Sequence, residues 1–322
     1  MIALLLAGAL LGAPDPYVVP SLQDVASQPD PARDAPLHLE DVTVTGRPLD
    51  QMIRNFVAEV AEPNPRRGLA RWNGDVCVGV ANLRGEAAQY IADRVSTVAE
   101  DLNLNPGAPG CTPNLLIVAT VDGGDMARTL VRERGRAFRM GGAGMDRGGS
   151  ALADFQETER PVRWWQMSLP VDADSGARAT RIPGECQEPC LSSTDYAPQI
   201  DVFAASRLKT QIVDNIIRTI VIVDVDDVSH LSIQQLADYI ALVSLAQIDP
   251  DADTSGYASI LNVFDDPAVA EGLTDWDLAY LEGLYQSERS DANRRANRTE
   301  VAASIRRAHQ RIQQARDETA QD

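Results

Sequence analysis

The sequence predicts an α/β (α+β) fold: a mixed, mostly parallel twisted sheet with helices packed on it, followed by a polar C-terminal helix. Three observations carry this. Residues 76–81 (VCVGVA) and 114–121 (NLLIVATV) read as buried strands on either side of an amphipathic helix over 85–102, a strand, crossover helix, strand unit expected to be right-handed. The strands over 114–121 and 218–225 (RTIVIVDV) are apolar without alternation, which suits strands covered on both faces. The segment 232–247 reads as a helix that is apolar around most of its circumference, through Ile233, Leu236, Ala237, Ile240, Ala241, Val243 and Leu245. A helix of that character belongs in an interior.

The elements follow in order. The apolar run 2–13 (IALLLAGALLGA) is too short to span a bilayer and fits the hydrophobic region of an export signal over 1–13, with Gly12 and Ala13 as small residues for cleavage. A periplasmic or secreted location is expected, with no transmembrane span in the mature chain. Residues 14–38 are rich in Pro, Asp, Ala, Ser and Gln and read as a disordered spacer. An N-terminal extension over 39–67 holds a short strand at 41–46 and a helix at 49–60, where Leu49, Ile53, Phe56, Val57 and Val60 repeat at helical spacing before EPNPRR ends it. The main domain is read as 68–285. Within it, the 85–102 helix aligns Ala88, Ile91, Ala92, Val95, Val98, Ala99 and Leu102 on one side.

Residues 125–134 read as a further helix, and 139–149 as a glycine-rich connector with no phosphate-binding GxxxxGK. The strand 162–169 (VRWWQMSL) is read as an edge strand whose Trp164 and Trp165 point to opposite sides, one inward and the other left free for a partner. Residues 170–200 read as a long irregular segment, and 201–208 as a short strand. Ser232 is placed to cap the apolar helix. In the tail, 286–322, Val301, Ile305, Ala308 and Ile312 form a narrow stripe that fits packing on the body, self-association or projection.

Acidic residues outnumber basic ones by 47 to 29, for a formal charge of -18, so phosphate backbones and anionic lipid are repelled and nucleic acid is not an expected partner. The cysteines Cys77, Cys111, Cys186 and Cys190 are even in number, as an oxidising compartment favours. Cys77 and Cys111 bridge naturally if their strands are neighbours, and Cys186 and Cys190 would close a small loop. A four-cysteine zinc site fits this spacing poorly.

Chemistry-bearing clusters are few. His38, His230 and His309 are scattered over spacer, loop and tail. Asp224, Asp226 and Asp227 cluster at a strand end. Asp249, Asp251 and Asp253 open like a calcium loop, but Thr254 and Ile260 stand where that loop needs glycine and glutamate. No cofactor, metal or catalytic residue is assigned.

Between Gln235 and Tyr285 the order is a helix, an acidic loop, Ser259-Ile260-Leu261-Asn262, and a Leu273-Thr274-x-x-Asp277 helix ending in Leu284-Tyr285. This resembles the catalytic half of metzincin-type metallopeptidases, in which HExxHxxGxxH is followed by a Ser-Ile-Met turn and a closing helix. The resemblance implies a zincin-like domain over 68–285. It puts Leu236, Ile240 and Ala246 at the three histidine positions, Ala237 at the general-base glutamate, and Leu261 at the methionine. None of these offers a lone pair to a metal or a proton. The resemblance therefore implies a pseudoenzyme. VTVTGR, ARW and Cys111-x-x-Asn114 are also similar to exported proteins of alphaproteobacteria. The expected function is an exported, catalytically inactive domain with a binding or envelope-associated role, its partner another envelope protein. The alternatives are a hydrolase using Asp224, Asp226, Asp227, His230 and the loop after Gln247, or a scaffold that oligomerises through its C-terminal helix.

Overall fold

The computed structural model describes residues 48–63, 67–138, 147–186, 196–201, 209–289 and 294–320. The predicted export signal, spacer and 41–46 strand lie outside these, as does most of 201–208. Helix α1 (Leu49–Val60) buries Ile53, Phe56, Val57 and Val60, the stripe its spacing predicts. After it come β1 (Arg71–Trp72), β2 (Asp75–Val76) and β3 (Val78–Ala81). The single strand expected over 76–81 is interrupted at Cys77. There the backbone N–H donates to Asn114 Oδ1 (2.8 Å), and the carbonyl accepts from the N–H groups of Asn114 and Leu115 (3.1 and 3.0 Å). Cys77 is bonded to Cys111 across a Cα separation of 6.1 Å. A side chain at Gly107 would place its Cβ 2.5 Å from the Cys111 sulfur, so glycine is what lets the bridge close there.

Helix α2 (Gly85–Asp101), β4 (Asn105–Pro106) and β5 (Leu115–Thr120) complete the predicted unit, and β3 and β5 pair in parallel. Next come α3 (Gly123–Glu133), α4 (Gly135–Phe138) and α5 (Gly149–Glu157), then β6 (Val162–Asp172), β7 (Thr180–Cys186), β8 (Tyr196–Gln199) and β9 (Ile212–Asp224). Strand β9 organises the sheet. Strand β6 runs antiparallel along one whole edge of it, and β5 and the short β1 pair in parallel along the other. The chain is therefore mixed α/β with a mostly parallel sheet, as predicted.

Helices cover both faces, which explains the unalternating apolar strands. On one side α1, α2, α6 (Ile233–Leu245), α7 (Asp275–Gln286) and α8 (Arg294–Thr319) enclose Ile216, Val221 and Val223 of β9. On the other, Phe138, Leu152 and Phe155 of α4 and α5 close over Ile220 and Ile222. Trp164 and Trp165 do face opposite sides of β6, one into each core, but the free indole expected for a partner is absent. Both are buried, and their N–H groups donate to Ile248 O (3.2 Å) and Phe138 O (3.0 Å). The main core takes Trp164 and the layer on the far face takes Trp165.

The irregular segment expected over 170–200 is partly ordered: β6 runs on to Asp172, and β7 and β8 form an antiparallel pair. Pro183 and Gly184 conceal β7 in the sequence. Cys190 lies outside the described residues, and with it the expected Cys186 pairing. The tail helix α8 packs on the body, burying Val301, Ala302, Ile305 and Ala308 against α1 and α7. Gly283 makes this crossing close, since a Cβ there would lie 2.4 Å from Ile305 Cα. Among the described residues no helix is long and apolar enough to cross a membrane.

Candidate functional site

The candidate site is the surroundings of α6. Its start is fixed by a capping box: Ser232 Oγ accepts from Gln235 N (3.1 Å), and Gln235 Oε1 accepts from Ser232 N (2.9 Å). The Gln235 amide also donates to Pro267 O and Ala270 O (2.7 and 2.8 Å), tying the helix to the segment before α7. Leu236, Ala237, Ile240 and Ala246 are all buried and belong to the main core.

A helix C-terminus leaves carbonyls without partners, and burial makes that costly. Here side chains from three elements supply the donors. Gln166 Nε2 reaches Val243 O, Ser244 O and Ala246 O (3.0, 3.3 and 2.9 Å). Trp72 Nε1 also donates to Ser244 O (2.9 Å), and the Tyr285 hydroxyl donates to Leu245 O (2.8 Å) while accepting from Trp72 N (3.3 Å). The Tyr285 of the Leu-Tyr motif is thus a clamp between β1 and the end of α6.

The two other motif pieces meet. Ser259 precedes a 3-10 turn, Ile260–Asn262, that packs on α6. Ser259 Oγ donates to Asp277 Oδ1 (2.6 Å), while Ile260 N, Thr274 N and Thr274 Oγ1 donate to Asp277 Oδ2 (2.9, 3.0 and 2.8 Å). Burial pushes the Asp277 carboxyl above the usual carboxylate range, and these donors pull it partly back. Asn262 closes the loop before it, donating to Thr254 O and Tyr257 O and accepting from Thr254 Oγ1 (3.0, 2.8 and 2.6 Å). Ser259, Asn262, Thr274 and Asp277 are therefore joints of the scaffold.

Two clefts flank α6. One, of about 520 Å³, lies by Arg94, Asp238, Gly272, Asp275, His309 and Arg316. Four of its charges already face one another: Asp238 accepts from Arg94 Nε (2.5 Å) and Leu273 N (3.0 Å), and Arg316 sits 2.6 Å from Asp275. The other, of about 250 Å³, lies between the start of β6, α6 and residues 250–265, with Trp164, Tyr239, Leu261 and Phe264 in its walls. Leu261, in the methionine place of the turn, is partly exposed there.

The acidic clusters do not converge. Asp224 accepts from Gly123 N (3.0 Å) and Asp226 N (3.2 Å), while Asp226, Asp227 and His230 are exposed, and neither cleft takes any of them. Asp226, Asp227 and His230 of the arrangement expected of a non-standard hydrolase are thus splayed into solvent, whereas Asp253 of the loop after Gln247 lines the smaller cleft. Asp249 and Asp253 turn onto the following backbone, at Asp251 N (3.0 Å) and Ser255 N (3.1 Å), and Asp251 pairs with Arg160 (2.5 Å). His309 packs edge-on to Trp276. Among the described residues no three His, Cys, Asp or Glu side chains are grouped to hold a metal ion.

No protein-family model matches the chain, and neither a curated protein nor a solved structure does.

The sequence pattern does not single out Asp238 and Tyr239, the two polar-tipped residues in the middle of α6. Both are buried, Asp238 as the partner of Arg94 and Tyr239 in the smaller cleft. Two such side chains between apolar residues in the middle of the helix were the available signal.

Proposed function

We propose that this chain is an exported, catalytically inactive domain of zincin-like ancestry that acts by binding, in the periplasm or outside the cell, with another envelope protein as its kind of partner. The observation that carries the reading is that Leu236, Ala237, Ile240 and Ala246 fill the core where the resemblance puts three histidines and a glutamate. Hydrocarbon there packs the sheet and has no lone pair for an ion or a proton. The flanking Ser259 turn and Asp277 helix, joined by hydrogen bonds, support the same ancestry. The Cys77–Cys111 bridge suits an oxidising compartment.

The test is metal analysis and peptide hydrolysis on one preparation of the full chain. No stoichiometric zinc and no chelator-sensitive cleavage are expected. Stoichiometric zinc with chelator-sensitive cleavage overturns the proposal.

A further inference from the structure

We propose that the cleft between the start of β6, α6 and residues 250–265 binds a cationic amine or guanidinium group on a short apolar stem, with the Tyr239 hydroxyl and the Asp265 carboxylate as its polar partners. This gives the binding role proposed above a ligand class, and rests on that role.

The first observation is Tyr239. Its side chain is held by edge-on contacts to Trp164 (6.2 Å) and Phe264 (4.8 Å), and the residue is only 7% exposed. Its hydroxyl nevertheless has no hydrogen-bond partner among the described residues, and the residue lines the cleft. A buried phenol normally finds a partner. Within the chain, the Tyr285 hydroxyl donates to Leu245 O and accepts from Trp72 N, whereas the Tyr280 hydroxyl also lacks a partner among the described residues but lines neither cleft.

The second observation is the charge at the mouth. Arg160 is the cation in the lining, but it already faces Asp154 (3.2 Å) and Asp251 (2.5 Å), so its charge is matched. Asp253 and Asp265 also line the cleft. Asp253 accepts from Ser255, whereas the Asp265 carboxylate has no donor or ion-pair partner among the described residues. Arg160 and, after it, Asp265 both lie near enough to Tyr239 to act on its phenol electrostatically. One matched guanidinium among these carboxylates leaves a negative site, which repels anions and attracts a cation.

The third is shape. About 250 Å³ is less than a drug-sized ligand needs and fits one side chain or a small amine. Trp164, Phe264 and Leu261 form apolar walls for methylene groups, and aromatic rings beside a cation add attraction.

Calorimetric titration of the full chain with cadaverine and with Nα-acetyl-lysine methylamide tests this, with the neutral Nε-acetylated derivative as control. Both cationic probes are expected to bind saturably, and the neutral one not. Tyr239→Phe keeps the ring and its contacts, and Asp265→Asn alters an exposed carboxylate, so both variants retain the fold. Each is expected to weaken binding by about tenfold, the loss of one hydrogen bond to a charged group. Tighter binding of the lysine derivative identifies a side chain of a partner, and tighter binding of cadaverine a free amine; either supports the cleft. No saturable binding of cations at millimolar concentration, equal binding of the neutral probe, or unchanged binding in both variants overturns it. Zinc-dependent peptide cleavage with amine binding intact would remove the proposed function and leave the cleft standing.

Discussion

Gly283→Ala sets two effects of known sign against each other. In a helix interior alanine is favoured over glycine by about 1 kcal/mol, so propensity alone predicts a more stable protein. The added Cβ, however, would lie 2.4 Å from Ile305 Cα and 2.5 Å from Ile305 N. Ordinary contact requires roughly 1 Å more, and because the obstacle is backbone no rotamer change relieves it. Helix α8 must shift away from α7, loosening the packing of Val301, Ala302, Ile305 and Ala308. Overpacking costs about 1–3 kcal/mol, and an unyielding backbone obstacle puts this site at about 2–3 kcal/mol, so after the propensity gain of about 1 kcal/mol the net expectation is a loss of about 1–2 kcal/mol. Urea unfolding followed by circular dichroism measures it, with the midpoint falling and the slope unchanged. The Gly283→Ala, Ile305→Ala double variant is expected not to recover the loss, since Ile305 Cα and N remain. A Gly283→Ala protein as stable as the parent, or more so, would refute the close-crossing argument.

Three further outcomes are expected. Asp277→Ala leaves the buried Ser259 hydroxyl and Ile260 N–H without their acceptor, at about 1–3 kcal/mol per group, and a cycle with Ser259→Ala is expected to show positive coupling in the same unfolding assay. Asp214→Ala removes the carboxylate facing the buried Arg67, whose Nε donates to it at 2.5 Å, and is expected to lower stability by about 3 kcal/mol, whereas a change under about 0.5 kcal/mol in calorimetry contradicts a buried ion pair. Replacing Cys77 and Cys111 together by alanine opens a covalent loop of sequence separation 34 and is expected to cost about 3–4 kcal/mol, read against the parent under non-reducing conditions.

What the sequence exposed, and what it hid, follows from the range of the interactions involved. Helix α1, the body of α2, strand β5 and the capped start of α6 are legible because spacing and caps are local. Strand β9 begins at Ile212, six residues before the apolar run at 218–225, because Asp214 and Asn215 are polar residues satisfied by Arg67 and Arg289 from elsewhere in the chain. Helix α5 has only Leu152 and Phe155 as buried anchors, too few for a periodic signal. The two tryptophans gave the correct alternation, but nothing local announces a second layer of helices over Trp165. The site is less legible still. That Ser259 and Asp277 belong together, that Gln166 closes the end of α6, and that Tyr239 opens on a cleft are all facts of tertiary placement.

Because α8 seals the same core that α1 enters, that interior cannot close until both helices have been made. Phe56 and its neighbours wait for a segment encoded some 250 residues later, and Arg306 then pairs with Asp50, 256 positions upstream. The first helix therefore stays without its full company until α8 has been made. An element near one end of the chain thus governs when an element near the other can be buried.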